Sequence, residues 1–281
     1  LEACKAFFRE NEANGNYYQL VQPASQDEGG YRMAFRNAYR YRNDGTIREK
    51  IFDAHPTQWM SSSGVDGVIT ENGWGWGWAG FAIDGYRQGG AVPTNELMEC
   101  FGMADGRNFP YEDLYGEGKN PEGIDMFKDR DPRLYETVLV PRESFPSGVV
   151  GDYNGKTYID TWVDGAMDYD SGNFGNLADD AATRYRKFKL MLDYSGGKMD
   201  DKMIGVSYIR LAEMYLIYAE ALAETGRLQD ALDQLHVVRS RVGLGRLEDK
   251  NPELKLTSDK DALINEILRE RNCEIGAECA D

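Results

Sequence analysis

The sequence predicts a mostly α-helical protein with long irregular loops and little β structure. Three observations carry this. From Tyr208 onward the chain is strongly periodic, with apolar residues at the three-four spacing of a buried helical stripe. From about residue 12 to 200, Gly, Pro, Asn and Asp break the chain every few residues and leave only short apolar pieces between. No Ser- or Pro-rich linker cuts the chain, so residues 1–281 read as one domain. It has a loop-rich part, 1–207, suited to ligand binding, and a helical part, 208–281.

The elements follow in order. LEACKAFFREN, at residues 1–11, is already in helical rhythm. Residues 31–42, YRMAFRNAYRYR, place Tyr31, Phe35 and Tyr39 on one stripe and Arg32, Arg36 and Arg40 on the next. In an acidic chain that arginine row is expected to pair with the protein's own carboxylates. TNELMECF predicts a short helix capped by Thr94 and closed by Gly102, with Leu97, Met98 and Phe101 inward. Leu211, Tyr215, Tyr218 and Leu222 mark a helix that Gly226 ends. Leu228, Ala231, Leu232, Leu235, Val238 and Val242 mark a second, stopped by Gly243. The short linker predicts an antiparallel pair. A third helix is expected to start near Ser258 as its cap, with Leu263, Ile264, Ile267, Leu268 and Ile275 facing inward. Glu213 and Glu220, with Arg210 and Arg239, are expected to form exposed ion pairs on this helical surface. His236 is expected on the surface of the pair.

Charge narrows the function. Lys and Arg number 32 against 48 Asp and Glu, a formal net charge of −16. Such a surface repels phosphate backbones and anionic lipid heads, so nucleic acid and bare membrane are poor partners. Only two histidines, His55 and His236, argue against His-based metal sites or triads. Cys4, Cys100, Cys273 and Cys279 have no CxxC spacing and read as buried free thiols. The glycines form neither a P-loop nor a dinucleotide fingerprint, no GxSxG elbow surrounds Ser144 or Ser147, and no cofactor is indicated. The chain starts with Leu1 and runs to Asp281 without a stop signal, and reads as part of a longer protein, incomplete at both ends.

One segment suggests recognition chemistry. Glu71–Phe81 reads ENGWGWGWAGF. If extended, Trp74, Trp76 and Trp78 share one face and Gly73, Gly75 and Gly77 leave the other bare. Such a shelf spans roughly 13 Å, the length of two or three linked sugars. Burying about 60–100 Å² on each indole would contribute roughly 1.5–2.5 kcal/mol. The competing reading is that these rings fill an irregular core, and both stand at this point. Asn72, Asp84, Tyr86 and Arg87 could flank the shelf with polar groups. Asp160, Asp164, Asp168 and Asp170 gather in DTWVDGAMDYDSGN without EF-hand spacing, and read as a solvated acidic loop.

Five segments in order resemble the SusD/RagB family, the outer-membrane nutrient-binding lipoproteins of Bacteroidetes. Ala91–Gly106, AVPTNELMECFGMADG, is similar to the family's PT-x-EL…F…DG segment, and Lys128–Leu139, KDRDPRLYETVL, contains RDPRL. Arg184–Lys189, RYRKFK, stands where a tGY…K segment belongs. Tyr208–Leu244, YIRLAEMYLIYAEALAETGRLQDALDQLHVVRSRVGL, resembles the family's helix pair, and ALINEILRERNCEIGAEC its ER-x-xE helix. His236 replaces the usual Asn and Arg184 the usual Gly. The resemblance implies tetratricopeptide-like helix pairs carrying long ligand-binding loops, and no catalysis. It implies a surface-exposed outer-membrane protein that captures oligosaccharide or polysaccharide and passes it to a SusC-like TonB-dependent transporter. Membrane attachment would come only through a lipid anchor outside these residues. The alternative is a protein-interaction scaffold, or a peptide binder, within an outer-membrane complex. The family's binding residues form no fixed motif, so the Trp74, Trp76 and Trp78 expectation rests on ring geometry alone.

Overall fold

The computed structural model describes residues 1–40, 47–54, 95–110, 127–139, 143–144, 158–159, 187–188 and 206–276. The chain divides into two compact units. One gathers Leu1–Asp53, Asn95–Leu134 and Ser207–Asp281, the other Ala54–Thr94 and Tyr135–Val206. The described residues are mostly helical, as the sequence predicts.

In chain order the elements are α1 (Glu2–Ala13), α2 (Glu28–Arg40), β1 (Lys50–Ala54), α3 (Asn95–Cys100), α4 (Pro132–Thr137), β2 (Val138–Leu139), β3 (Glu143–Ser144), β4 (Tyr158–Ile159), β5 (Lys187–Phe188) and β6 (Val206–Arg210). They continue with α5 (Leu211–Glu224), α6 (Leu228–Ser240), α7 (Leu247–Lys250), a 3-10 turn (Pro252–Leu254) and α8 (Lys260–Glu274). The strands pair only in twos: β1 with β6, β2 antiparallel to β5, and β3 antiparallel to β4. Within the second unit the described residues show these last two short ladders.

The core of the first unit sits where α5, α6 and α8 meet. Leu211, Leu216, Ala219 and Leu222 of α5 close on Leu232, Leu235 and Val238 of α6 and on Leu263 and Ile267 of α8. Alanines on the seam let the helix axes approach, and burying each Leu there stabilises by about 1.5–3 kcal/mol. Both predicted glycine stops hold. At the end of α5, Gly226 takes φ +78° while Arg227 N–H bonds the Leu222 carbonyl at 2.9 Å. After α6, Gly243 also takes φ +78°, and Leu244 N–H bonds the Arg239 carbonyl at 3.2 Å. Both ends are Schellman closures.

Several local expectations need correction. Tyr215 and Tyr218 are only partly buried, because they leave the α5 seam and pack on Phe8 of α1, with ring centroids 4.8 and 5.4 Å away. The cap of α8 is Asp259, whose carboxylate accepts from Ala262 N–H at 3.0 Å. Ser258 instead donates to the Lys255 carbonyl. Asp accepts as well as Ser at a cap and adds charge at the positive helix end. Leu268, expected inward, is exposed, since α8 turns only one stripe to the core. His236 is half-buried, and burial with the nearby Arg246 charge lowers its pKa. In α2, Phe35 is buried as expected and Arg32 pairs with Glu28. Cys4 and Cys273 are buried free thiols, and Cys100 is partly covered. Thr94 and Cys279 lie outside the described residues.

Candidate functional site

Residues from four of the five segments that carry the family resemblance meet within the first unit. Asp131 caps α4: its carboxylate accepts Arg133 N–H at 2.9 Å, and Pro132 fills the first helical position, where a missing N–H costs nothing. Arg130 turns the other way. Its guanidinium donates to the carbonyls of Met98, Phe101 and Gly102 at 2.9, 2.7 and 3.2 Å, closing the carbonyl end of α3. It also lies 3.6 Å from the Phe109 ring centroid.

Behind that turn, four arginines meet four carboxylates. Arg133 reaches Asp131 at 2.7 Å, Glu270 at 2.6 Å and Glu274 at 2.9 Å. Arg210 reaches Glu49 at 2.9 Å and Glu274 at 2.6 Å. Arg241 bonds both oxygens of Glu49, at 2.8 and 3.0 Å, and also pairs with Glu274. Arg239 bonds Glu270 at 2.7 Å and the Gly106 carbonyl at 3.0 Å. None of the eight is more than 2% exposed. The expectation of exposed pairs for Arg210 and Arg239 is therefore wrong: both point into the core, and Glu213 takes Arg271 instead, at 2.7 Å. Glu49 enters from the residue before β1, a partner no local pattern could supply.

Electrostatics keeps this cluster ionised. Burial by itself would push the Glu270 carboxyl up, but Arg133, Arg239 and Arg269 outweigh it and hold the pKa at about 2. Glu274 faces the same burial cost and is held below the ordinary range by Arg241, Arg210 and Arg133. Burial pushes the neighbouring Cys273 thiol well up, so it stays neutral and inert. Four arginines and four carboxylates are thus paired with one another inside the core, which is the arrangement of a structural lock. The cluster locks α4, α6, α8 and the β1–β6 ends together. Among the described residues no group of His, Cys, Asp and Glu is arranged to hold a metal ion.

Open recognition chemistry appears elsewhere, beside α1. A concavity of about 390 Å³ is lined by Phe7, Glu10, Asn11, Asn14, Tyr17 and Tyr18. The turn that shapes it is rigid: Gly15 and Asn16 both take left-handed φ, and Asn16 N–H bonds the Asn11 carbonyl at 2.8 Å. The Asn11 side chain then clamps Tyr18, accepting its N–H at 2.9 Å and donating to its carbonyl at 3.0 Å. Sequence reasoning passed over this site, although NGNYY directly after a helix combines a left-handed turn with two rings. The residues it did select, Asn72, Trp74, Trp76, Trp78, Asp84, Tyr86 and Arg87, lie outside the described residues, as does the Asp160–Asn173 loop.

Comparison with known proteins now adds a family. The sequence profile of the SusD family matches residues 48–280. A SusD-like protein from Bacteroides fragilis NCTC 9343 aligns over 98% of this chain and 47% of its own, at 22% identity and TM-score 0.57. The protein BT4246 aligns over 99% of this chain and 49% of its own, at 18% identity and TM-score 0.61. Its selenomethionine form gives 18% identity, 99% and 50% coverage and TM-score 0.62. No curated protein matches. The chain spans about half the length of the solved structures it matches, and at these identities the likeness speaks for the fold. Asp131 and Arg133 of RDPR, Arg239 and Arg241 of the helix-pair segment, and Glu270 and Glu274 of ER-x-xE thus meet in one buried cluster inside a fold shared with SusD-like structures, under a profile covering most of the sequence; this protein belongs to the SusD family.

Proposed function

We propose that this chain is part of a non-catalytic, cell-surface glycan-binding protein that captures oligosaccharide and passes it to a SusC-like TonB-dependent transporter in the outer membrane. The single observation that supports the reading most is the family match over residues 48–280. Two physical facts agree with it. A net charge of −16 disfavours anionic polymers and leaves neutral saccharides open. The cluster around Glu274 supplies a stiff scaffold, the condition under which loops hold binding groups in place. No described helix is long and apolar enough to cross a membrane.

Trp74, Trp76 and Trp78 are the proposed sugar platform, flanked by Asn72, Asp84, Tyr86 and Arg87. In native gels containing neutral polysaccharides, the chain is expected to be retarded. Replacing all three tryptophans by alanine is expected to abolish most of that retardation while the melting curve stays in place. Unchanged retardation would remove the platform. Incubation with the same polysaccharides is expected to release no reducing sugar.

A second reading, a scaffold that grips another protein, has one observation in its favour. Phe52 and Tyr208, on the paired strands β1 and β6, stand with centroids 5.5 Å apart and are 59% and 53% exposed. Co-purification with an outer-membrane barrel that is lost on Phe52→Ser and Tyr208→Ser, together with absence of glycan retardation, would favour it.

A further inference from the structure

We propose that the concavity beside α1 is a second saccharide subsite, built for one uncharged pyranose ring and headed by Tyr17. The inference deepens the glycan-binding reading and rests on it for the class of ligand, though not for its location. Its volume of about 390 Å³ falls near the small end of small-molecule sites, which run roughly from 300 to 1,000 Å³. Its wall is aromatic. Phe7 and Tyr18 stack with centroids 6.1 Å apart, and Tyr17 stands at 88° to Tyr18, 5.1 Å away. Polar residues line it as well, Glu10 and Asn14 beside the rings, with the Asn14 amide N–H donating to the Glu10 carbonyl at 2.7 Å. An apolar face with acceptors at its edge matches a sugar ring, which has C–H groups on a face and hydroxyl donors around it.

Rigidity distinguishes this place from an ordinary surface ring. Tyr18 serves the fold: it is clamped by Asn11 and packs toward the core. Tyr17 is carried on the same fixed turn yet stays 55% exposed. A ring held in place before the ligand arrives adds no ordering cost on binding. Charge favours an ion of neither sign. Glu10 lines the concavity and the Arg48 guanidinium sits over the Tyr17 ring, 5.2 Å from its centroid, so opposite charges flank the site and offset each other. An ion would give up hydration there without a net electrostatic gain, whereas a neutral ring has no charge to desolvate.

The test is saturation-transfer NMR on the 281-residue chain with three probes: methyl β-glucopyranoside, glucuronate and protonated glucosamine. The background is the chain with Trp74, Trp76 and Trp78 all replaced by alanine, so the outcome does not depend on that shelf. The neutral glucoside is expected to receive transfer onto its ring C–H protons, at least threefold more than either charged probe. Adding Tyr17→Ala should cut the transfer at least threefold, with the melting temperature unchanged because the ring is exposed. Glu10→Lys, a second variant that leaves the wall intact, should raise glucuronate transfer above that of the glucoside. No transfer in the tryptophan-free background overturns the proposal, as does transfer insensitive to Tyr17→Ala or strongest for glucosamine. Loss of polysaccharide retardation in the tryptophan variant with transfer at Tyr17 retained would support both sites separately.

Discussion

The buried cluster around Glu274 and the ring-lined edge of α1 belong to the same compact unit and treat polar groups in opposite ways. In the cluster every charge finds an opposite charge within hydrogen-bond reach and water is excluded. At α1 the Asn11 side chain clamps the Tyr18 backbone, yet Tyr17 beside it is left open to solvent. The recognisable motifs of the sequence, RDPR and ER-x-xE, all fall in the first region. None falls in the second. These motifs therefore mark what holds this scaffold together, whereas the ligand contacts proposed above fall on residues that no motif announces.

The comparison can be broken experimentally, beginning with the largest effect. Glu274→Ala leaves three buried arginines, Arg133, Arg210 and Arg241, each short of one partner and the cluster with an uncompensated positive charge, and is expected to cost about 3–5 kcal/mol in urea unfolding. A loss under about 1 kcal/mol would mean that the cluster is not a lock. Acid should act on the same groups. Glu270 and Glu274 bind protons less readily folded than unfolded, so their stabilisation is complete above the ordinary value of 4.5. It drains away as pH falls toward about 2, and melting temperatures measured from pH 6 down to pH 2 should decline through that window. In Glu270→Gln the decline should be shallower.

Leu235→Ala tests the apolar seam beside the cluster and is expected to cost about 2–5 kcal/mol, comparable to losing one buried charge. Gly243→Ala should be clearly worse than Gly226→Ala. Both residues sit at φ +78°, but a Cβ at Gly243 would come within 2.3 Å of the Tyr31 ring, while Gly226 faces open space. About 1 kcal/mol is expected at Gly226 and a larger loss at Gly243. Equal losses would show that α2 moves aside freely. Last comes Arg227→Ala, which removes an exposed pair to Asp230 and should change stability by no more than about 0.5 kcal/mol.

The strongly periodic helices α5 and α6 and their glycine ends are legible in the residue order, whereas the cap of α8 falls one residue later than expected, at Asp259. Gly226 and Gly243 stop α5 and α6 as their spacing requires, and the apolar stripe of α6 is the stripe that is buried. Where several stripes were available the reading slipped: Tyr215 and Tyr218 look like seam residues of α5 until α1 arrives to cover them. The proposed ligand contacts are less legible. Tyr17 looks like any loop tyrosine, and only the clamp between Asn11 and Tyr18 shows that its position is fixed.

By itself the sequence determined the elements whose cause is local: three-four spacing makes a stripe, and a left-handed glycine ends a helix. Tertiary structure alone decided the fate of the charges. Glu49 and Arg241 stand 192 positions apart and bond directly, and nothing in either neighbourhood distinguishes them from solvated surface residues. Whether a charge is exposed or buried depends on which distant partner shares its site, since only a matched partner makes burial affordable.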